Sequence, residues 1–497
     1  MLLQQLFCLT LGFLASDVLA GNESPRAAWP NGPFVTSGRW ITDASGLTVT
    51  YGKRKTAPFR TEIWYVNTGL AGVNWPGHVE TMIPEGLQYQ SISNITTKLK
   101  SIGINSIRLT YAIEMIDQIK DNSDNDITIR EAFIDALGQE NGTDVYEKVV
   151  SRNPSFTDNT TRLQVFDAIA AEAAKNEIYI HLDNHVSKAG WCCSPLDGNT
   201  WWGDTYFSVA NWTRGISYMA DHGKQWPNLM SMSLRNELRQ PLLNKDLFAE
   251  SYNWQDWYKY VQQGAEAINS VNSDVLIFLS GLDSDTTLQP VVQNTTLTPG
   301  TSTFNLDDFP ANKIVLELHN YANILGGSAN TNCTALQQEL SEDGFQALDD
   351  DAPSAFPLVM TEYGFQEDAT TWQDSFASCV EKYLADRQAG WMIWALPGSY
   401  YIREGTQDGD EPWGLLTHDW SDWRSPEHIN GSLADLVGAT LAANGIEAPV
   451  ATGQNSSSSG NDTSQDSGSV SLHPKASFRT MMLGAILSIF VGFLTYM

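Results

Sequence analysis

Residues 314–321 read IVLELHNY, a mainly branched apolar run that closes with three polar or aromatic side chains. Runs of this kind recur along the chain, and the segments between them are long enough for helices. Strands with near-continuous apolar character are typical of a parallel sheet that helices cover. The eight runs are Gly72–Trp75, Ser106–Leu109, Ile178–Leu182, Leu229–Leu234, Val275–Leu279, Ile314–Leu318, Leu358–Met360 and Trp391–Trp394.

The alternation of these runs with helical patterns, such as Ile92–Ile102, Leu163–Ala174 and Trp254–Val271, predicts an α/β fold, a closed (β/α)8 TIM barrel. An open doubly wound sheet is the alternative. A nucleotide-binding sheet would need a glycine-rich phosphate turn, which the sequence lacks. Alternation over Arg39–Tyr65 predicts a small N-terminal β cap under the barrel floor. The long segment Glu114–Thr160 predicts an insertion after strand 2 with short helices of its own.

The charge of the chain limits its partners. It has 497 residues, with 29 Lys plus Arg against 58 Asp plus Glu and a net charge of −29. A polyanionic surface repels phosphate backbones, so we expect no nucleic-acid partner. A hydrophobic fraction of 42% excludes wholesale disorder. We expect a monomer.

The two ends resemble targeting signals. Residues 1–20 hold an apolar run and a small-residue cleavage pattern, which predict a secretory signal peptide. Residues 21–450 form the predicted barrel domain with its N-terminal β extension, and 451–469 a Ser/Gly/Asn-rich flexible stalk. Small residues near Ser467, a polar spacer and an apolar tail within 470–497 predict a GPI-attachment signal that is removed. A C-terminal transmembrane helix is the alternative. The prediction is a secreted, cell-surface protein that reaches the plasma membrane or cell wall only through a lipid anchor.

Glycosylation motifs and cysteines agree with an extracellular location. Without Cys8, which belongs to the signal peptide, four cysteines allow up to two disulfides in three connectivities. We expect Cys192 and Cys193 to bond elsewhere, because bridging neighbours strains the peptide link between them. The ten Asn-x-Ser/Thr sequons lie at Asn22, Asn94, Asn141, Asn159, Asn211, Asn294, Asn332, Asn430, Asn455 and Asn461.

Chemistry in a barrel of this kind belongs at the C-terminal ends of the strands. Two carboxylates that face each other across a cleft can hydrolyse glycosides, one as a protonated acid and one as an ionised nucleophile or base. Glu237 and Glu362 stand at two such ends, and Tyr321 could donate to Glu362. The polar or aromatic strand ends are Arg108, Asp183, Asn184, His185, Arg235, Asn236, Glu237, His319, Asn320, Tyr321, Glu362, Tyr363 and Trp394.

These residues resemble glycoside hydrolase family 5, the cellulase family whose two glutamates end strands four and seven. The resemblance covers about residues 70–400 and implies a retaining mechanism, with Glu237 as acid/base and Glu362 as nucleophile. It implies a β-linked oligo- or polysaccharide substrate, a cellulase-like action on β-glucan, and no cofactor or metal. The implied substrate-binding residues are Arg108, His185, Asn236, His319, Tyr321 and Trp394.

The chain departs from the family pattern at one point. Proline commonly follows the Asn-Glu pair, whereas Leu238 and Arg239 follow it here, and Trp191–Ser194 is similar to a branch of the family. The sugar, its linkage and endo or exo action therefore stay open. Two other functions stay open as well: a glucan transglycosylase and a non-catalytic carbohydrate-binding or adhesion protein. Some of the following tryptophans are expected to stack on sugar rings: Trp191, Trp201, Trp202, Trp394, Trp413, Trp420 and Trp423.

Overall fold

A computed structural model describes residues 29–43, 69–322 and 332–442. The predicted signal peptide, stalk and anchor signal lie outside these residues and stay predictions. Within the described ranges, we find no helix with the length and apolar character that a membrane crossing requires.

Eight parallel strands close into a barrel in chain order, with the last strand paired to the first, which confirms the predicted (β/α)8 fold. Nearly every residue of these strands is buried, because the barrel packs the inner faces and helices cover the outer ones. The strands are β3 Ala71–Trp75, β4 Ser106–Ala112, β5 Tyr179–Val186, β6 Leu229–Ser233, β7 Leu276–Leu279, β8 Ile314–Tyr321, β9 Leu358–Gly364 and β10 Gly390–Ile393.

The helices begin where short polar side chains cap them. Ser91, Thr128, Thr161, Ser208 and Asn253 each accept a hydrogen bond from a backbone N–H of the first turn that follows. The helices are α1 Ile92–Ser101, α2 Ile113–Asp121, α3 Ile129–Leu137, α4 Gln139–Arg152, α5 Arg162–Lys175, α6 Val209–His222, α7 Lys245–Glu250, α8 Trp254–Asn269, α9 Gln289–Val292, α10 Cys333–Asp343, α11 Ser375–Arg387, α12 Pro426–Asn430 and α13 Ser432–Ala442.

An N-terminal hairpin of β1 (Val35–Ser37) and β2 (Trp40–Thr42) is present, and its strands pair antiparallel; β1 lies before the predicted cap of Arg39–Tyr65 and β2 within it. The rest of the predicted cap falls outside the described residues. Phe34 and Ile41 of this segment join a separate apolar cluster with side chains from the barrel strands. The barrel members of that cluster are Leu70, Tyr179, Met230, Leu276, Phe278, Val315, Val359 and Met392.

The predicted insertion after strand 2 is present as α2, α3 and α4, between β4 and the helix α5 that leads to β5. A further hairpin, not predicted from the sequence, follows the eighth barrel strand. It consists of β11 (Ser399–Arg403) and β12 (Thr406–Asp410). Phe133 of α3 packs edge-on against Tyr401 of β11 at 4.8 Å between ring centroids, so the insertion supports this hairpin.

The disulfides correct one expectation. Cys333 at the start of α10 pairs with Cys379 in α11, and Cys192 pairs with its neighbour Cys193. The prediction that the adjacent cysteines bond elsewhere is wrong. The packing of α10 against α11 brings Cys333 and Cys379 to a Cα–Cα distance of 5.5 Å, so each of them already has a partner.

Removing the Cys333–Cys379 bond should destabilise the protein without changing its chemistry. The bond spans a sequence separation of 46, and closing a loop of that length is worth about 4 kcal/mol in the chain-entropy description. The Cys333→Ser/Cys379→Ser variant should lose about this amount in urea unfolding. The matched control is Cys192→Ser/Cys193→Ser, since a bond between neighbours closes no loop. Equal losses in both variants would contradict the prediction.

Candidate active site

The structure brings all eight predicted site residues together at the C-terminal end of the barrel. Each comes from a strand or from the residues directly after it, and parallel strands deliver their C-terminal ends to one face. The sources are β5 for His185, the segment just after β6 for Asn236 and Glu237, β8 for His319 and Tyr321, β9 for Glu362, and the residue after β10 for Trp394. Arg108, predicted at a strand end, is the third residue of β4, and its side chain reaches Glu362.

The two glutamates share one groove with a histidine between them. His319 Nδ1 lies 3.1 Å from Glu237 Oε1 and 3.5 Å from Glu362 Oε2. The three contacting atoms all lie within 4.8 Å of one another. Retaining glycoside hydrolases have carboxyl groups about 5–5.5 Å apart, and inverting ones about 6.5–9.5 Å. With one oxygen of each carboxyl group within 4.8 Å of the other, the pair fits the spacing of a retaining enzyme better than that of an inverting one.

Glu362 is surrounded by groups that favour its ionised form. The Tyr321 hydroxyl donates a hydrogen bond to Glu362 Oε2 at 2.6 Å, and Arg108 Nη1 forms a short ion pair with Glu362 Oε1. Burial keeps the pKa of Glu362 above its ordinary value, although Arg108 and the Tyr321 hydrogen bond oppose that rise. The carboxylate is therefore oriented by two partners and only 5% of its side chain is exposed.

Arg108 also ties the other site residues to Glu362. Its guanidinium donates to Asn74 Oδ1 and to Asn236 Oδ1, both at 2.8 Å, and lies 3.1 Å from Asp183 Oδ2. Burial lowers the pKa of Arg108, but Asp183 and Glu362 together raise it by more, so the pKa of Arg108 lies above its ordinary value. Asn74 and Asp183 were not among the predicted site residues.

Glu237 stands in a different environment. Its side chain is 13% exposed, and its backbone has a φ of +42°, in the left-handed region that a non-glycine residue adopts only when its surroundings impose it. Burial raises the pKa of Glu237 to about 7, against the opposing charges of Arg239 and Arg108. A carboxyl group with this pKa is partly protonated at neutral pH, as a general acid requires.

His319 is neutral where these carboxyl groups work. Burial lowers its pKa to about 4, although the Glu362 carboxylate raises it. Its Nε2 lies 3.2 Å from Thr361 Oγ1 and 3.5 Å from Asp285 Oδ2. A neutral ring that Thr361 and Asp285 hold in place can form a hydrogen bond with Glu237 without adding a positive charge to the groove.

Aromatic rings form one wall of the site. Trp394 stacks on His185 with ring centroids 5.5 Å apart, and Trp191 meets the Trp394 ring edge-on at 6.2 Å. Arg403 of β11 lies over the Trp191 ring at 3.6 Å, and Tyr400 contacts the same ring. Sequence reasoning missed Tyr400 and Arg403, because they belong to the unpredicted hairpin.

Six of the seven candidate tryptophans lie at this wall or in the core, and the seventh, Trp423, is half-buried with Lys98 Nζ 5.1 Å from its ring centroid. Trp201, Trp202 and Trp420 are fully buried, so they pack the interior and cannot stack on a substrate. Trp413 lies 5.7 Å from Tyr321, beside the glutamate pair. With Trp191 and Trp394, it leaves three indoles at the groove.

Three groups of possible metal ligands occur among the described residues, with ligand atoms within 4.8 Å of one another. The group of His185, Cys192 and Cys193 has both sulfurs bonded to each other. A second group is the glutamate pair with His319. The third, Asp285 with Glu317 and His319, lies below the groove, where burial raises the pKa of both carboxyl groups. The two-carboxylate chemistry needs no metal ion.

The Tyr321→Phe variant tests the environment of Glu362. Because the Tyr321 hydrogen bond lowers the pKa of Glu362, its loss should raise that pKa. The acidic limb of the kcat/KM profile should therefore move to higher pH, and kcat should fall about tenfold for one lost charge-assisted hydrogen bond. The profile of Trp413→Phe, which keeps that hydrogen bond, is the control. An unmoved acidic limb would contradict the prediction.

A (β/α)8 barrel with two opposed carboxyl groups at the C-terminal ends of its fourth and seventh strands defines the class of the glycoside hydrolases. Residues 66–399 match the family described as Cellulase (glycosyl hydrolase family 5). The chain belongs to that family, as the sequence motifs predict.

Individual proteins agree with this assignment. A glycosyl hydrolase 5 family protein of Chamaecyparis obtusa is 33% identical over 409 residues, which cover 80% of this chain and 65% of that protein. The match thus spans a little under two thirds of that relative. An endoglucanase of Paenibacillus polymyxa is 22% identical over 413 residues, covering 81% of this chain and 87% of its own.

Solved structures show the same fold. The endocellulase of the archaeon Pyrococcus horikoshii has a TM-score of 0.57 at 18% identity and covers 82% of this chain and 99% of its own. The catalytic domain of the major endoglucanase from Xanthomonas campestris has a TM-score of 0.56 at 19% identity, with 81% and 99% covered.

Proposed function

We propose that the protein is a retaining β-glycoside hydrolase that cleaves β-glucan by double displacement. The observation that carries this proposal is the spacing of Glu237 and Glu362, whose contacting oxygens lie within 4.8 Å of each other. A pair this close can act on one anomeric carbon directly, and a pair that activates water needs more room.

In the first step Glu237 acts as the acid and Glu362 as the nucleophile. Glu237 gives its proton to the glycosidic oxygen, and a Glu362 oxygen attacks the anomeric carbon. The bond to the leaving sugar breaks, and a glycosyl ester of Glu362 forms. The assignment follows the environments, since Arg108 and Tyr321 favour the Glu362 carboxylate and burial raises the pKa of Glu237 to about 7.

In the second step Glu237 acts as a base. Its carboxylate takes a proton from water, the water oxygen bonds to the anomeric carbon, and the ester bond to Glu362 breaks. The sugar leaves with the configuration it had in the substrate. The Glu237 proton and the Glu362 carboxylate are both restored, so the cycle needs no further reactant.

Support for β-glucan comes from the family and its members. The relative from Paenibacillus polymyxa is an endoglucanase, and the Pyrococcus horikoshii endocellulase forms a complex with cellotetraose. The indoles of Trp191, Trp394 and Trp413 supply flat apolar faces beside the glutamates, which suit the C–H faces of sugar rings.

A panel of β-1,4-, β-1,3- and β-1,6-linked gluco-oligosaccharides tests the proposal. We expect one linkage to be cleaved, with a product whose first-formed anomer, followed by NMR, is β. A first-formed α anomer would overturn the retaining mechanism. If the protein binds these oligosaccharides but cleaves none of the linkages, the carbohydrate-binding alternative is favoured. Products longer than the substrate, with no net increase in reducing ends, would favour the transglycosylase.

We also propose that the protein works outside the cell, on a glycolipid anchor near Ser467. The support is the signal-like residues 1–20, the anchor-like residues 467–497, two disulfides and surface sequons. Asn211 is half-buried and donates to Asp117, but the other sequon asparagines within the described ranges are exposed: Asn94, Asn141, Asn159, Asn294, Asn332 and Asn430.

Two treatments of the protein in its own cells test this location. A phosphatidylinositol-specific phospholipase should release it from membranes, and an endoglycosidase should lower its apparent mass. Retention on membranes after complete lipase treatment would favour the transmembrane alternative. An unchanged mass would contradict glycosylation.

A further inference from the structure

The departure from the family pattern after Glu237 contacts the loop that is similar to a branch of the family. The loop Trp191–Ser194, which follows β5, places the Cys192 and Cys193 sulfurs 3.5 and 3.4 Å from the side-chain nitrogen of Asn236. Arg239, which stands near the usual proline position, donates to the Glu237 carbonyl at 2.8 Å and to the Ser194 carbonyl at 3.1 Å. The loop and the end of β6 therefore form one unit around Asn236 and Glu237.

The contacts of Asn236 fix which way its amide points. Its oxygen accepts from Arg108 at 2.8 Å, so its NH₂ group must face the other side. On that side lie the two sulfurs and, at 3.4 Å, His185 Nε2. His185 Nδ1 contacts Asp183 at 2.6 Å, which leaves Nε2 as an acceptor.

The oxidised state of the cysteine pair matches this amide. A disulfide sulfur carries no hydrogen and only accepts, whereas a thiol sulfur accepts only after its S–H has turned away from the NH₂ donor. The disulfide also fixes the two sulfurs side by side, and free thiols would rotate about their Cα–Cβ bonds. Bonding between neighbours therefore gives Asn236 a rigid acceptor surface.

The rest of the loop is anchored on both sides. Trp191 is covered by Arg403 at 3.6 Å, and Arg403 pairs with Glu411 at 3.0 Å. At the other end, Asp197 accepts from the Ser194 backbone and forms a short ion pair with Arg239. The sulfurs consequently have little freedom to move away from Asn236.

We propose that the Cys192–Cys193 disulfide is a positioning group for the reaction: it holds the NH₂ side of the Asn236 amide, so that the amide oxygen stays on Arg108 and its second lone pair can accept from the 2-hydroxyl of the sugar at the cleaved bond. This inference rests on the proposed hydrolase function, since a hydrogen bond to that hydroxyl strengthens in the transition state of glycoside hydrolysis. The disulfide itself contributes little to folding, because it closes no loop.

The test compares two variants on two substrates. Cys192→Ala/Cys193→Ala removes the acceptors, and Cys192→Ser/Cys193→Ser restores oxygen acceptors in their place. One substrate is an aryl β-glycoside of the sugar and linkage that the wild type cleaves, and the other is its analogue without the 2-hydroxyl at the cleaved bond. Cys333→Ala/Cys379→Ala is the control for loss of a disulfide as such.

With the hydroxylated substrate, kcat/KM of the alanine variant should fall roughly 10- to 100-fold, mainly through kcat, as for other small displacements of a reacting assembly. The serine variant should recover part of this loss, and both variants should unfold at the wild-type urea concentration. With the 2-deoxy substrate, the variants should match the wild type. The control should lose stability and keep its kinetics.

Three results would overturn the inference. One is an alanine variant within twofold of wild type on the hydroxylated substrate. Another is an equal loss on both substrates, which would mean a general disturbance of the site. A wild type that cleaves none of the linkage-defined oligosaccharides would overturn the proposed function itself, and the inference would fall with it.

Discussion

Glu362→Ala should retain the fold and lose about four to six orders of magnitude in kcat, because the covalent intermediate can no longer form. The loss should not depend on the leaving group, since both the attack and the stored ester require this carboxylate. Steady-state kinetics on the cleaved oligosaccharide and on its aryl glycoside measure it. Urea unfolding of the variant checks the fold.

Azide should rescue this variant and identify the missing group. The alanine leaves a space beside Arg108 and Tyr321, where a small anion can bind and attack the anomeric carbon as the aryl oxide leaves. The product is then a glycosyl azide of α configuration, opposite to the substrate. A β azide from Glu362→Ala would mean that the roles of the two glutamates are exchanged.

Glu317→Gln is the matched control for this variant. Glu317 is as deeply buried and lies in the neighbouring strand, where it accepts from Ser233 and Thr361. Burial raises its pKa to about 7, so an uncharged amide resembles its protonated form. We expect less than a tenfold change in kcat, because Glu317 does not line the groove and one neutral hydrogen bond is worth about 1 kcal/mol. A loss equal to that of Glu362→Ala would contradict a special role for the pair.

The barrel and its catalytic face could be predicted because their physics is local. Near-continuous apolar runs separated by amphipathic segments indicate a parallel sheet that helices cover. The three helices predicted by sequence pattern match α1, α5 and α8 to within two residues at each end. Strand ends then meet at one face, so polar residues at those ends must lie together. No tertiary information was needed for either step.

Strand alternation could have moved one residue from the predicted strand ends to the predicted site. Asp183 and His185 are two apart on β5, so they share a face, and they contact each other at 2.6 Å beside Arg108. Asn184 points the other way, where it donates to the Leu234 carbonyl. Parity alone therefore distinguishes Asp183 from its neighbour as a site residue.

Other features depend on contacts that no local pattern encodes. The strand β12 reads TQDGD and has almost no apolar residue, so its pairing with β11 and the position of Arg403 follow from tertiary packing. The disulfide pairing also depends on tertiary contacts. Helices α10 and α11, which are distant from Cys192 in the sequence, pack together and pair Cys333 with Cys379, so Cys192 and Cys193 bond to each other.

Glu237→Ala should lose about two to four orders of magnitude in kcat on the natural oligosaccharide, whose leaving group needs a proton. With a dinitrophenyl glycoside, which leaves without a proton, the first step should stay fast while the second slows, so kcat and KM should fall together. Azide should then attack the Glu362 ester and give a β-glycosyl azide, opposite to the product of Glu362→Ala.

The wild-type kcat/KM should fall tenfold per pH unit above about 7, because Glu237 acts as the acid in its protonated form and burial raises its pKa to about 7. With the dinitrophenyl substrate, the variant should lose this alkaline limb and keep the acidic limb that belongs to Glu362. An alkaline limb that persists at the same pH in Glu237→Ala would assign that proton to another group and remove the acid role from Glu237.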